Sequence, residues 1–307
     1  IAIGGDARFV ARRIGKPVGS EGLFAVSRGP FDKLVRQCER QTVEELARTF
    51  ALEFPDAETL SPALMAYQAL LDSTQAKELL VSQASMRNGL LMDLASRVTG
   101  KEDEALTKGL VRSALAVARK YRVDRRHAQA VAELAVRLFD QLAPEHGLRP
   151  RHRLLLRVAS LLHEVGGFVS NRSHHKHSFY LIANSEIFGL SREEHIVVAH
   201  VARYHRRATP QPDHLEYMAL PRDKRIVVSK LAALLRVADG LDRVHATQVR
   251  DFRCDRLNDE LVLHIPGVAD LTLERHAVQQ KSDLFMDIFG LKIRLEEERA
   301  AAVGTPL

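Results

Sequence analysis

Apolar positions along the chain fall into two regimes. Up to about residue 100, short apolar runs alternate with stretches at helical spacing. From about 105 to 248, apolar residues recur almost without a break at three- and four-residue intervals. In the first regime, Ile1-Ala2-Ile3 predicts a buried strand that turns at Gly4-Gly5. Thr42-Val43-Glu44-Glu45 has the form of a capping box opening a helix. Leu60 to Leu71 predicts a helix, Glu78 to Ser82 a buried strand, and Gly89 to Arg97 the helix that follows it. Strand, turn and helix in that order suit an α/β layer.

In the second regime, Asp124 is placed to cap a helix with an apolar stripe of Ala128, Val131, Ala135, Leu138 and Leu142, which Pro144 and Gly147 break. Further helices are predicted over Leu154 to Val165, Ser178 to Phe188, Ser191 to Arg203 and Arg222 to Ala238. Beyond Val249, the alternating runs Val249 to Cys254, Glu260 to Ile265 and Leu291 to Leu295 predict a small β appendage. The charged stretch Lys101-Glu102-Asp103-Glu104 divides the regimes, giving domains over 1–103 and 104–307. There are no internal repeats.

Composition narrows the class. With 46% hydrophobic and 27% charged residues in 307, the chain is globular rather than disordered. Its longest apolar runs, around Leu154 to Leu162 and Leu231 to Leu235, are cut by arginines well short of the roughly 20 residues of a membrane span. No basic segment or cleavage pattern marks a leader, and the absence of an initiator Met suits a chain that begins inside a longer protein. Cys38 and Cys254 have no CxxC spacing, which fits a reducing, cytoplasmic setting without a disulfide or zinc framework. The net charge of +6 favours an anionic ligand. The basic runs are not interleaved with aromatics and Trp is absent, so single-stranded nucleic acid is not expected as a partner.

The most informative chemistry is a histidine and carboxylate series on consecutive helices: His127, His163-Glu164, His174-His175 with His177, His200, His205 and Asp239. Side chains of this kind on facing helices can converge on one interior point and hold a metal. Singly, each is more often a satisfied core or surface residue. His163 and Glu164 are adjacent, so they point about 100° apart and share a site only in the wedge between them. Around the series lie Arg172, His174, His175, Lys176, His177, Arg203, His205, Arg206 and Arg207, a basic rim suited to phosphate oxygens or to a solvated face. Gly4-Gly5 could form a backbone nest for an anion or simply a tight turn. Walker A, GxGxxG, GxSxG and HExxH patterns are all absent, which removes those enzyme classes.

Ile3-Gly4-Gly5-Asp6-Ala7-Arg8, Leu79-Leu80-Val81-Ser82 and Ser85 to Leu91 resemble, in order, the exopolyphosphatase / guanosine pentaphosphate phosphohydrolase family. So do Tyr121-Arg122-Val123-Asp124, Leu161 to Gly166, His174 to Ser178, Ala202 to Arg206 and Leu235 to Asp239. The resemblance implies that residues 1–103 are an α/β remnant of the second actin-like (RNase H-like) subdomain. Residues 104–307 would be a mostly helical HD-type domain with a small β extension. It further implies a phosphoric anhydride hydrolase that uses Mg2+ on polyphosphate or guanosine pentaphosphate, with the catalytic Glu in an N-terminal part absent from this chain. A homodimer is a family-level expectation. Gly4, Gly5 and Asp6 match the family's late glycine loop, and Arg172, His175, Lys176, Arg203 and Arg206 would contact phosphates. His127, His163, Glu164 and Asp239 fall where HD phosphohydrolases hold a divalent transition metal, with His177, His200 and His205 as further candidates. Glu164 departs from the Asp of the HD signature.

Three roles follow as expectations. The leading one is an exopolyphosphatase-type hydrolase in which this portion supplies the polyphosphate-binding domain and part of the cleft. The alternatives are a metal-dependent HD-domain nucleotide phosphohydrolase and a non-catalytic anion-binding module for regulation or dimerisation.

Overall fold

The computed structural model describes residues 1–19, 22–99, 104–243 and 248–298, which separate into two compact units, Ile1–Lys101 and Glu102–Leu307. Residues 101–103 of the charged stretch taken as the boundary lie outside the described residues.

The first unit contains α1 (Gly5–Ile14), β1 (Lys16–Pro17), β2 (Leu23–Ser27), α2 (Arg28–Glu39), α3 (Val43–Phe50), α4 (Phe54–Asp72), β3 (Glu78–Ser82) and α5 (Met86–Thr99). Its three strands form an antiparallel sheet in the order β1-β2-β3. Phe9, Phe31, Leu46, Leu60 and Val81 are among its buried core. The expected capping box is present: Glu45 N–H donates to the Thr42 hydroxyl at 3.3 Å, and Thr42 N–H to the Glu45 carboxylate at 2.9 Å. The expected buried strand over Ile1 to Ile3 is not. Only Ala2 bridges to Val81, and Ile1 and Ile3 are exposed, because the chain turns at once into α1. Gly4 sits at the N-cap of that helix with φ +127°, a conformation that a side chain disfavours.

The second unit contains α6 (Glu104–Lys120), α7 (Arg125–Gln141), α8 (Ala143–His146), α9 (Pro150–Leu162), a 3-10 turn (Val165–Phe168), α10 (His174–Ala183), α11 (Arg192–Arg203), α12 (Leu215–Met218) and α13 (Arg222–Leu241). Then follow β4 (Arg253–Leu257), β5 (Glu260–Pro266), α14 (Thr272–Lys281), α15 (Asp283–Phe289) and β6 (Lys292–Glu298). Helix α13 is the centre of this unit. Every residue from Val227 to Leu241 except Lys230 is buried, as expected of a helix with apolar neighbours all round, and α7, α9, α11, α14 and α15 pack against it. Asp124 caps α7 as the sequence predicts, and Ser191 caps α11.

Three expectations are corrected. Helix α10 begins four residues earlier than Ser178, because Ser173 takes the left-handed conformation (φ 57°) and releases the histidine-rich segment directly into a helix. Strand β4 lies over Arg253–Leu257 rather than Val249 to Cys254, since Val249 and Phe252 are buried in the loop before it. The C-terminal appendage is also not β alone. Strand β4 pairs antiparallel with β5, but β6 pairs parallel with β5, and a parallel return needs a crossover, which α14 and α15 provide.

Candidate functional site

Three turns of buried chain bring a histidine and carboxylate cluster together inside the helical unit. His127 occupies the first turn of α7, where the Asp124 carboxylate accepts from its backbone N–H at 3.3 Å and from that of Arg126 at 2.9 Å. His163 follows α9, Asp239 lies in the last turn of α13, and Asp242 caps it. One ligand atom each from His127, His163 and Asp239 lies within 4.8 Å of the others, and all three residues are buried. The Asp239 Oδ1 atom is 3.5 Å from His127 Nε2 and 3.7 Å from His163 Nε2.

Hydrogen bonds on the far sides of the rings fix which nitrogens face inward. His127 Nδ1 lies 2.7 Å from Asp242 Oδ2, and a carboxylate can only accept, so Nδ1 carries the hydrogen. His163 Nδ1 donates to the Ser160 carbonyl at 2.7 Å, and His205 Nδ1 to that of Ala202 at 2.6 Å. His163 therefore presents the lone pair of Nε2 to the centre, and that buried atom has no hydrogen-bond partner among the described residues. The other Asp239 oxygen, Oδ2, pairs with the Lys281 ammonium at the end of α14. Burial would raise the Asp239 pKa. The Lys281 charge and the proton-holding His127 imidazole outweigh it and keep the carboxyl well below its usual range.

The rim reaches this cluster by a chain of rings. The His205 ring stands edge-on to His163 with centroids 5.0 Å apart and stacks on His174 at 5.2 Å, with Nε2 to Nε2 at 3.2 Å. Because His205 Nδ1 donates elsewhere, its Nε2 accepts from His174. His174 Nδ1 lies 3.4 Å from Arg206 Nη1 and 3.3 Å from the Asn171 carbonyl oxygen. Arg206 is thus tied to the buried cluster through two imidazoles. His175 feels the same positive surroundings: burial first, then His174, Arg206, Arg207 and Lys176, lower its pKa to about 4.

Other expected residues fall elsewhere. Glu164 begins the turn after His163 and does not fall within the 4.8 Å set, although its charge still acts on His127 and His174. Its adjacency to His163 turns it away from the shared point. His200 is fully buried among the rings of Phe179, Tyr204 and Tyr217, which burial and the nearby Arg203 turn into a low-pKa site of about 4. Arg203 lies over Phe179 and Tyr204 and pairs with Glu216 at 3.7 Å, so its guanidinium serves the packing of α11. His177 is half-buried outside the cluster, while Arg172 and Lys176 are exposed. Gly4, Gly5 and Asp6 belong to the first unit, at the start of α1.

Two participants were not foreseen. Asp242 could have been found from its i, i+3 spacing to Asp239, which puts both carboxylates on one side of the helix end. Lys281 carried no local signal, since its role depends on how α14 packs against α13.

The cluster makes a pH prediction. Burial opposes charge on His127, but the Asp239 and Asp242 carboxylates outweigh it and raise its pKa from 6.5 to about 9. The folded state therefore holds this proton more tightly, and the resulting stability is complete below pH 6.5 and lost as pH rises through 9. With a chelator present, the thermal midpoint is expected to fall between pH 7 and 9.5 by more than in an Asp242→Asn variant, as read by circular dichroism.

The comparisons with known proteins agree with this architecture. The profile of Ppx/GppA phosphatase domain III matches residues 111–284. The guanosine-5'-triphosphate,3'-diphosphate pyrophosphatase of Pseudoalteromonas translucida is 28% identical over 140 residues, 45% of this chain and 27% of the relative. Those of Photobacterium profundum and Vibrio vulnificus are 23% and 24% identical over 258 and 275 residues, covering 83% and 89% of this chain and 48% and 50% of theirs. The chain thus spans half or less of the length of these curated relatives. A match that covers the helices α7 to α13 and every member of the buried cluster shows that the chain belongs to the Ppx/GppA phosphatase family.

Proposed function

We propose that this chain is part of a phosphoric anhydride hydrolase acting on a phosphorylated guanine nucleotide or inorganic polyphosphate. Its helical unit would bind the phosphate chain beside a divalent metal centre held by His127, His163 and Asp239. The observation that carries the metal centre is the inward-facing, buried Nε2 of His163 beside Asp239 Oδ1. Donors bonded at about 2.0–2.2 Å in a tetrahedral site stand about 3.4 Å apart, close to the 3.5 and 3.7 Å separations here. The donor set therefore fits such an ion, and Asp242 behind His127 is the usual carboxylate that orients a ligating imidazole.

A bound divalent ion would supply Lewis-acid polarisation of a phosphoryl oxygen. The chain's own residues do the rest. Lys281 fixes the Asp239 carboxylate through Oδ2 and leaves Oδ1 directed at the histidines. Arg206, half-buried at the mouth of the ring chain, is placed to take phosphate oxygens, and Lys176, Arg172 and Arg207 add positive charge around it. On the resemblance, the first unit would be an actin-like remnant, a part that in that family works with Mg2+ and a catalytic Glu.

The relatives are named for guanosine-5'-triphosphate,3'-diphosphate, which makes that nucleotide the first substrate to try. Phosphate release by the full-length protein is expected from it or from polyphosphate, and Arg206→Ala is expected to raise KM by on the order of tenfold with the fold retained. Absence of hydrolysis of both would refute the reading. Asp242→Asn is expected to weaken metal binding by roughly 10- to 100-fold, measured by competition with a chromophoric chelator.

A further inference from the structure

At the opposite end of α13 from the cluster, the helix presents a second chemical surface. Arg222, Arg225, Ile226, Ser229 and Lys230 follow the i, i+3, i+4, i+7, i+8 spacing of one helical face. Together with Tyr217 of α12 and Ile288 of α15 they line a cavity of about 360 Å³. That size is within the usual range for a small-molecule site.

The lining is unusual in charge. Arg222, Arg225 and Lys230 are all cationic, no carboxylate lines the cavity, and none of the three forms an ion pair among the described residues. Lys230 donates to the His146 carbonyl at 2.6 Å, and Arg225 Nη1 meets the Met218 sulfur at 3.1 Å. The Nε of Arg225 is buried without a hydrogen-bond partner. A buried donor of this kind costs stability unless something accepts from it, and a charged partner recovers the most. Beside the cations the wall is apolar: Ile226 and Ile288 are partly exposed, and the Tyr217 ring is held by its hydroxyl on Ser229 at 3.0 Å.

We infer that this cavity is a binding site for a nucleoside phosphate, separate from the histidine cluster. The phosphates lie against Arg222, Arg225 and Lys230, and the flat base lies against Tyr217, Ile226 and Ile288. Guanidinium groups suit phosphate oxygens bidentately, and a base supplies the planar apolar surface that an inorganic phosphate chain lacks. Arg225 and Asp239 are 14 residues apart on one helix, about 21 Å along its axis. This site therefore does not depend on the metal reading of the cluster.

The test is isothermal titration of the full chain carrying Arg206→Ala, which silences the phosphate contact beside the histidine cluster, with chelator present, by a nucleoside β,γ-imidotriphosphate and separately by inorganic tripolyphosphate. The expected result is one nucleotide bound per chain, with tripolyphosphate weaker. Ile226→Asp, which puts a carboxylate at an exposed position on the cavity wall, and the pair Arg222→Ala/Arg225→Ala are expected to weaken the nucleotide by on the order of tenfold or more. His163→Ala is expected to leave it unchanged. Far-ultraviolet circular dichroism checks folding, and Ile226→Asp keeps the test decisive if the arginine pair fails to fold. The inference is overturned if no nucleotide binds, if Ile226→Asp binds as the parent does, if His163→Ala removes binding, or if tripolyphosphate binds as tightly as the nucleotide.

Discussion

Gly166→Ala is expected to destabilise the helical unit by about 3 kcal/mol, the upper end of what overpacking a close contact costs. Gly166 lies in the 3-10 turn after His163, and a Cβ there would overlap the backbone of α10 at the His174 carbonyl and the Ser178 nitrogen. Neither atom is the end of a flexible side chain, so the turn and the helix must move apart. The same contact is fastened by Ser178, whose hydroxyl donates to the His163 carbonyl at 2.7 Å and accepts from Gly166 N–H at 2.9 Å. At roughly 2–4 °C per kcal/mol for a unit of this size, the thermal midpoint is expected to fall by about 10 °C. Ser178→Ala, which removes two hydrogen bonds and adds no bulk, is expected to cost about half as much. An alanine at 166 that left the midpoint unchanged would show that α10 is not seated on this turn.

Arg236→Met is expected to cost a similar amount for a different reason. The Arg236 guanidinium is almost completely buried, yet it has four acceptors: the carbonyls of Lys281 at 2.9 Å, Tyr204 at 3.3 Å and Arg207 at 3.2 Å, and Asp283 Oδ1 at 2.5 Å. It ties α13 to the end of α11 and to the junction of α14 and α15. Methionine keeps most of the volume, so the loss is that of the hydrogen bonds. Asp283 is half-exposed and can be resolvated, but the Tyr204 carbonyl is buried and those of Lys281 and Arg207 are partly so, which sets a cost of about 3 kcal/mol in chemical denaturation. Lys281 would also lose the contact that holds its backbone against α13, so its ammonium would leave Asp239. Replacing buried ionic groups by apolar ones is sometimes neutral. A Met variant as stable as the parent would place Arg236 in that category and remove it as the organiser of the cluster.

The local parts of this arrangement were readable from the chain. Thr42 and Asp124 signal their helices because a cap acts within three residues, and the α13 core shows in the apolar run Leu231 to Leu235. His127, His163 and Asp239 stood out through their order and the resemblance they carry, and the structure brings one ligand atom of each within 4.8 Å of the others. What stayed hidden is long-range. Arg236 reads as a charge that interrupts an apolar helix, and Lys281 as one of many surface lysines, until α14 is packed across α13. The start of α10 was misread because His174 to His177 form no apolar stripe, and the turn at Ser173 depends on a backbone conformation that its side chain does not announce. Glu164 was kept with the ligands because it stands where the HD signature has its acid, and it falls outside the set formed by His127, His163 and Asp239 as the 100° between adjacent helical positions implies.

The most direct test of the central claim is the metal content of the purified chain, by elemental analysis after exposure to zinc and manganese, beside a His163→Ala variant of verified fold. About one equivalent per chain in the parent, lost in the variant, is the predicted result. A parent that retains no metal, or a variant that retains as much, would contradict a centre built on His127, His163 and Asp239.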